Sequence, residues 1–376
     1  MVSRRSFLGS LALIAGAPMV NRGRFRLFAQ SPDLSSTLYS TQAIDLVKSS
    51  TVIDMLGLLT LDYRKLGGWQ RHPASFSSAD FARLKASGTT ILHPAVGFTK
   101  GDIYTESFND LSGWNSFLAA HPAEFLRVDG PADIDRAKAS GRIGVLLGLQ
   151  NSSHFRSVED VDRFYALGQR VSQLTYTPNR LGGGSTDPRD LGLTGYGVEI
   201  IRRMNGLGMA IDVSHCGDRT TLDSIDASAK PVLVTHSNCR AIVRGSARCK
   251  SDDAIRKLAA RGGVMGITMI RFFVSSGGAA TIENVLDHID HVAGVAGIEH
   301  VGLGTDVDLD GHDHAQPLAR KADLDGVQYT RKIFDLTEGL LRRGYARDHI
   351  QMILGGNFRR ALDQIWTTGA PAIVTG

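Results

Sequence analysis

Residues 209–215 read MAIDVSH and residues 231–236 read PVLVTH, two short apolar runs that each end in a histidine. Continuous apolarity, in place of polar and apolar residues in alternation, is the pattern of a strand covered on both faces, as in a parallel sheet sheathed by helices. Outward from this pair the same kind of run recurs as STVID (50–54), GTTILH (88–93), IGVLLGL (143–149), RVSQLTY (170–176), GGVMGIT (262–268), HVGLGTD (300–306) and IQMILGG (350–356). Between the runs lie stretches with helical spacing, among them GVEIIRRMNGLG (197–208), which ends in a glycine suited to a helix C-cap, and DDAIRKLAARGG (252–263). Strand and helix alternate, and eight such units in roughly 320 residues predict a (β/α)8 TIM barrel. The ninth run, at 350, is expected to close the barrel or lead into a last helix. A doubly wound open sheet is the alternative, but no Gly-x-Gly-x-x-Gly follows the first strand to hold a dinucleotide.

A barrel places its chemistry at the C-terminal ends of the strands. The polar residues that end the runs here are Asp54, Gln150, His215, His236 and Asp306. Neutral imidazoles on consecutive strands can converge on one metal ion, which makes His215 and His236 candidate ligands. A carboxylate at the rim can exchange a proton with a nucleophilic water or hold a substrate ammonium, the role considered for Asp306. Asp308, two residues on, points the other way if the strand persists, and Asp310 and Asp313 read as solvated loop residues. DVDLDG (306–311) has the look of a calcium-loop fragment, but no glutamate completes it.

Composition narrows the partners. The 376 residues are 42% apolar and 21% charged, and the net charge of +4 arises from 42 basic against 38 acidic residues with no block of one sign. Nucleic acid is therefore not an expected partner. Cys216, Cys239 and Cys249 are too few for a disulfide framework; one bridge, Cys239 to Cys249, is allowed in an oxidising compartment, with three buried thiols as the simpler reading. MVSRRSFLGSLALIAGAPMV (1–20) sets paired arginines before an apolar stretch too short to span a bilayer. This resembles a twin-arginine export signal over 1–30, which implies periplasmic or extracytoplasmic localisation with no lasting membrane span. One domain is expected over 45–370.

The ordered strings GLTGYGVEIIRRMNGLGMAIDVSHCGDRTTLDSI, PVLVTHSNCRAI, DDAIRKLAARGGVMGI, HVGLGTDVD and ILGGNFRRAL resemble the membrane (renal) dipeptidase family of metallopeptidases, peptidase family M19. The resemblance is continuous from about 190 to 365. It implies a (β/α)8 fold of the metal-dependent hydrolase type, two zinc ions, and cleavage of dipeptides with little side-chain preference. Carried over residue by residue, the histidines of the second metal match His215 and His236, the arginine for the substrate carboxylate matches Arg248 with Arg244 as the alternative, and the catalytic aspartate matches Asp306.

Upstream the chain departs from that pattern. In IDMLGL (53–58) the first metal's histidine and aspartate fall on Leu56 and Leu58, the bridging glutamate falls on Gln150, and a substrate-contacting histidine falls on Pro178. Leucine offers no lone pair, and a neutral amide cannot balance two dications, so the first metal site should be lost. At most one zinc ion is expected, on His215 and His236, with no metal as the alternative. Asp54, His93, His154, Cys216 and Cys239 are further donors to consider, and Asp306 is the nearest candidate for a third ligand. Three functions follow as expectations: an exported dipeptidase-like hydrolase acting on a dipeptide or small amide, a non-catalytic binder of a small zwitterion, or a biosynthetic enzyme of altered chemistry on the same barrel. A homodimer is allowed.

Overall fold

The computed structural model describes residues 24–26, 38–314 and 321–367. The signal-like segment lies outside the described residues apart from the short strand Arg24–Arg26, which pairs antiparallel with Leu38–Ser40. Eight parallel strands then form the barrel: β1 Ile53–Asp54, β2 Ile91–Leu92, β3 Ile143–Val145 with its continuation Gly148–Leu149, β4 Val171–Gln173, β5 Ala210–Asp212, β6 Leu233–Ser237, β7 Val264–Ile267 and β8 Val301–Leu303. Each pairs with the next in chain order. Closure comes from β8 against β1, where Leu303 is in register with Asp54.

The strand residues are buried throughout, which accounts for their unbroken apolar sequence. Helices cover the outside of the ring, and the helix Gly195–Leu207 ends at Gly208, whose φ of 80° is the left-handed C-cap that its sequence suggests. Close approach between strands is secured by Gly304, where a Cβ would stand 1.8 Å from the Thr235 carbonyl oxygen. The base is plugged by the last helix, Asn357–Trp366, whose Phe358, Leu362 and Ile365 pack with Ile53, Ile91, Val171, Leu233 and Val264.

The ninth apolar run is helical, a short helix Arg347–Gln351 and a π-turn Met352–Gly356 that leads into this plug. A strand missing from the sequence reading, Phe125–Arg127, pairs outside the ring with β3. Cys216, Cys239 and Cys249 are buried free thiols, so Cys239 and Cys249 do not pair. No helix among the described residues is long and apolar enough to cross a membrane.

Candidate active site

His215 and His236 follow or end β5 and β6, and their Nε2 atoms meet at 3.0 Å. A hydrogen-bond chain behind β6 decides the tautomers. Asp212 can only accept, so Thr235 Oγ1 donates to its Oδ2 at 2.7 Å and must accept from His236 Nδ1 at 2.8 Å. The His236 proton therefore sits on Nδ1 and leaves a lone pair on Nε2, to which His215 Nε2–H donates. A carboxylate or hydroxyl that orients an imidazole in this way is the usual support of a ligating histidine. Both rings are held neutral, their pKa values pushed well below the ordinary range first by burial and next by the Arg248 guanidinium.

The loop that carries His215 is tied from below by Lys250. Its ammonium is buried and donates to Val213 O (2.7 Å), Cys216 O (2.9 Å) and Thr221 Oγ1 (3.1 Å). Arg248 is buried beside the histidines, whereas Arg244 is exposed, so the structure brings only Arg248 to the mouth. Its Nη1 donates to Ser214 O and Ser237 Oγ and its Nη2 to His236 O. Its Nε–H is buried and has no partner among the described residues. A buried donor without an acceptor is costly, and a carboxylate from a ligand is the acceptor that a guanidinium edge fits best.

Asp306 follows β8 with a φ of 61°, the one positive value outside glycine among the described residues. Aspartate tolerates this region better than most side chains, yet such outliers gather at functional sites. Its backbone N–H donates to Leu56 O, and no hydrogen bond holds its carboxylate among the described residues. Burial raises its carboxyl to about 7, opposed by Arg248 and reinforced by Asp54.

Other predicted donors have partners elsewhere, His93 through its Nδ1 alone among the described residues. Asp54 accepts from Thr305 N (2.8 Å) and Thr305 Oγ1 (2.6 Å), pinning the end of β8 to that of β1. His93 bonds Leu146 O, both nitrogens of His154 face Asn151 O and Gln169 Oε1, and the Cys216 and Cys239 sulfurs face Thr175 and the His288 carbonyl. Leu56 and Leu58 close into a buried apolar cluster with Leu61 and Ala95. Gln150 donates its amide to Ala95 O at the edge of that cluster. Pro178 is exposed, and the ring that covers His215 is Tyr176, stacked at 4.2 Å.

Among the described residues no third His, Cys, Asp or Glu lies at ligand distance from both His215 and His236, so Asp306 does not complete a three-ligand site. The one group of three with cation-binding spacing is Asp308, Asp310 and His314. There Asp308 already accepts from Leu61 N and Asp310 N, and Asp310 pairs with Arg83. Asp313 accepts from Ala322 N. Asp310 is exposed as expected, and both it and Asp313 also fasten the loop after β8. Lys250, Thr235, Asp212 and Tyr176 escaped the sequence reading, although Thr235 and Asp212 lie within three residues of the histidines they support.

The family model for membrane dipeptidases (peptidase family M19) matches residues 41–372. The dipeptidase verJ of Clonostachys rogersoniana is 34% identical over 230 residues, 60% of this chain and 56% of that protein. The dipeptidase tcpJ of Claviceps purpurea is 29% identical over 238 residues, 62% of this chain and 53% of that protein. The match thus spans about half the length of these curated relatives. A solved amidohydrolase of Pseudomonas aeruginosa superposes with a TM-score of 0.74 at 29% identity, over 86% of this chain and 99% of that one.

Proposed function

We propose, for a chain that belongs to the membrane dipeptidase family, peptidase family M19, that the barrel mouth hydrolyses a dipeptide or another small amide bearing a free carboxylate. The observation that carries this reading is the buried, partnerless Nε–H of Arg248 beside two tautomer-set imidazoles and the unpartnered carboxylate of Asp306. Arg248 holds the substrate carboxylate through that N–H. Asp306, with its carboxyl raised to about 7, populates both protonation states near neutrality and passes a proton between water and the amide nitrogen.

The family's members depend on metal, typically zinc. A pair of ions does not fit these residues: an apolar cluster of Leu56, Leu58, Leu61 and Ala95 stands where two ligands are expected, and Gln150 replaces the bridging carboxylate. His215 and His236 supply two donors, one short of the three that a catalytic zinc usually takes from protein. We therefore infer at most one ion, on this histidine pair, and derive no step from it. Export by the twin-arginine route is part of the same reading, supported by Arg4 and Arg5 ahead of an apolar stretch.

Purified protein, incubated with and without zinc, is assayed on simple dipeptides while its metal is measured by elemental analysis. The expected result is no more than one zinc per chain, lost in His215→Ala, with cleavage reduced about 100-fold or more in Asp306→Asn. The leucine-filled half of the mouth favours a second reading, a small-zwitterion binder. Dipeptide binding without cleavage under any metal condition would establish that reading and overturn the hydrolase.

A further inference from the structure

A second concavity opens on the same face of the barrel, between the helices Tyr63–Arg71 and Ile103–Ala120 and the loop after β2. Its volume of about 640 Å³ lies within the range of small-ligand sites. Gly97 of its wall abuts the Tyr176 ring, to which a Cβ would come within 2.7 Å, and Tyr176 is stacked on His215. Tyr63, on the opposite wall, is close enough to feel the charges of both Asp110 and Asp306. The chamber is therefore a side room of the mouth, reached past Tyr63 and Tyr176, which are 57% and 37% exposed.

Two carboxylates line it, Glu106 and Asp110, against one guanidinium, that of the exposed Arg71. Asp110 Oδ2 is closed off from solvent and has no hydrogen-bond partner among the described residues. The Gln70 side chain stands beside it and is the one group that opposes its burial, by a hydrogen bond to the carboxylate. With so little to offset burial, the Asp110 carboxyl rises to about 7. A neutral amide balances a desolvated carboxylate poorly, and a cation brought into the chamber relieves it. Phe98 and Tyr63 supply aromatic surface that suits an alkyl chain ending in a cationic group.

We propose that this chamber is a side-chain subsite for the substrate of the mouth, with Asp110 selecting a cationic, lysine- or arginine-like side chain. The inference rests on the reading of the mouth as a peptide site. It adds a preference that the apolar half-site of leucines does not supply. Asp110 acts here as a specificity residue, remote from the scissile bond.

The test is calorimetric titration of the full-length protein with glycyl-lysine and lysyl-glycine against their norleucine isosteres, alongside hydrolysis of the same peptides. One lysine peptide should bind about tenfold more tightly than its isostere, the value of one charge-assisted hydrogen bond. Asp110→Asn should erase that difference and leave norleucine peptides unchanged. Equal binding of lysine and norleucine peptides by the wild-type protein overturns the subsite without recourse to any variant, as does a preference that survives in folded Asp110→Asn. If lysine peptides are preferred but none is cleaved, the subsite stands and the hydrolase reading fails. Cleavage of all four at equal rates and affinities leaves the hydrolase standing and removes the subsite.

Discussion

At the scale of single residues, the mouth is built from groups whose charge states are set by burial. Asp306 is the clearest case: its carboxyl lies at about 7 in the folded chain, against about 3.9 for an unfolded aspartate. The folded state holds the proton more tightly, so this group's contribution to stability is fully present below about pH 4 and is lost as pH rises through 7. Asparagine stays neutral at every pH. Asp306→Asn and the parent should therefore melt alike near pH 4, and the variant should gain up to about 4 kcal/mol over the parent by pH 8. Calorimetry across this range checks it, and a difference independent of pH would refute the assignment. The rim positions of His215, His236 and Asp306 were legible because each ends an apolar run. The resemblance favoured Arg248 and left Arg244 open, since both follow the same strand, and burial separates them.

At the scale of elements, the turn after β1 replaces polar ligands with packing. Leu56, Leu58, Leu61 and Ala95 fill the place where the resemblance puts half of a binuclear centre. Leu58→Asp alone should cost about 3 kcal/mol in urea unfolding, because a carboxylate enters an apolar cluster with no partner. Leu56→His, Leu58→Asp and Gln150→Glu together supply two donors and a bridging charge next to His215 and His236. The triple variant should bind about two zinc ions per chain, and elemental analysis reads the outcome. Metal content no higher than the parent's would mean that the loop has been reshaped beyond these three positions. The sequence shows the loss of ligands here, but the compensating cluster involves Ala95, which follows a different strand and carries no signal of its own.

At the scale of the whole molecule, the barrel closes late along the chain. Residues 301–303 must pair with 53–54, and the helix Asn357–Trp366 must cover the base. Contacts of such sequence separation form only once nearly all of the chain is available, and a twin-arginine route, which carries folded proteins, suits a chain of this kind. Arg4→Lys with Arg5→Lys should retain the precursor in the cytoplasm, as read by fractionation and immunoblotting. Unimpaired export of that double variant would exclude the route.

The order of strands, their burial on both faces and the polar residues at their ends follow from local periodicity, which is written in consecutive residues and can be read without coordinates. Hydrogen-bond partners are chosen across the barrel instead. Asp54 reads as a rim carboxylate like Asp306, yet it is consumed by Thr305, 251 residues away, while Asp306 keeps a free carboxylate. His154 and His93 are histidines like His215, but both ring nitrogens of His154 and the Nδ1 of His93 are taken by neighbours that no spacing rule links to them. Asp110 looks like any acidic residue on an amphipathic helix until the fold closes its Oδ2 away from water beside the mouth. Periodicity thus determined the barrel and which residues reach its rim. Only the tertiary structure decided which of them remain unpartnered, because desolvation and partner choice depend on neighbours far along the chain.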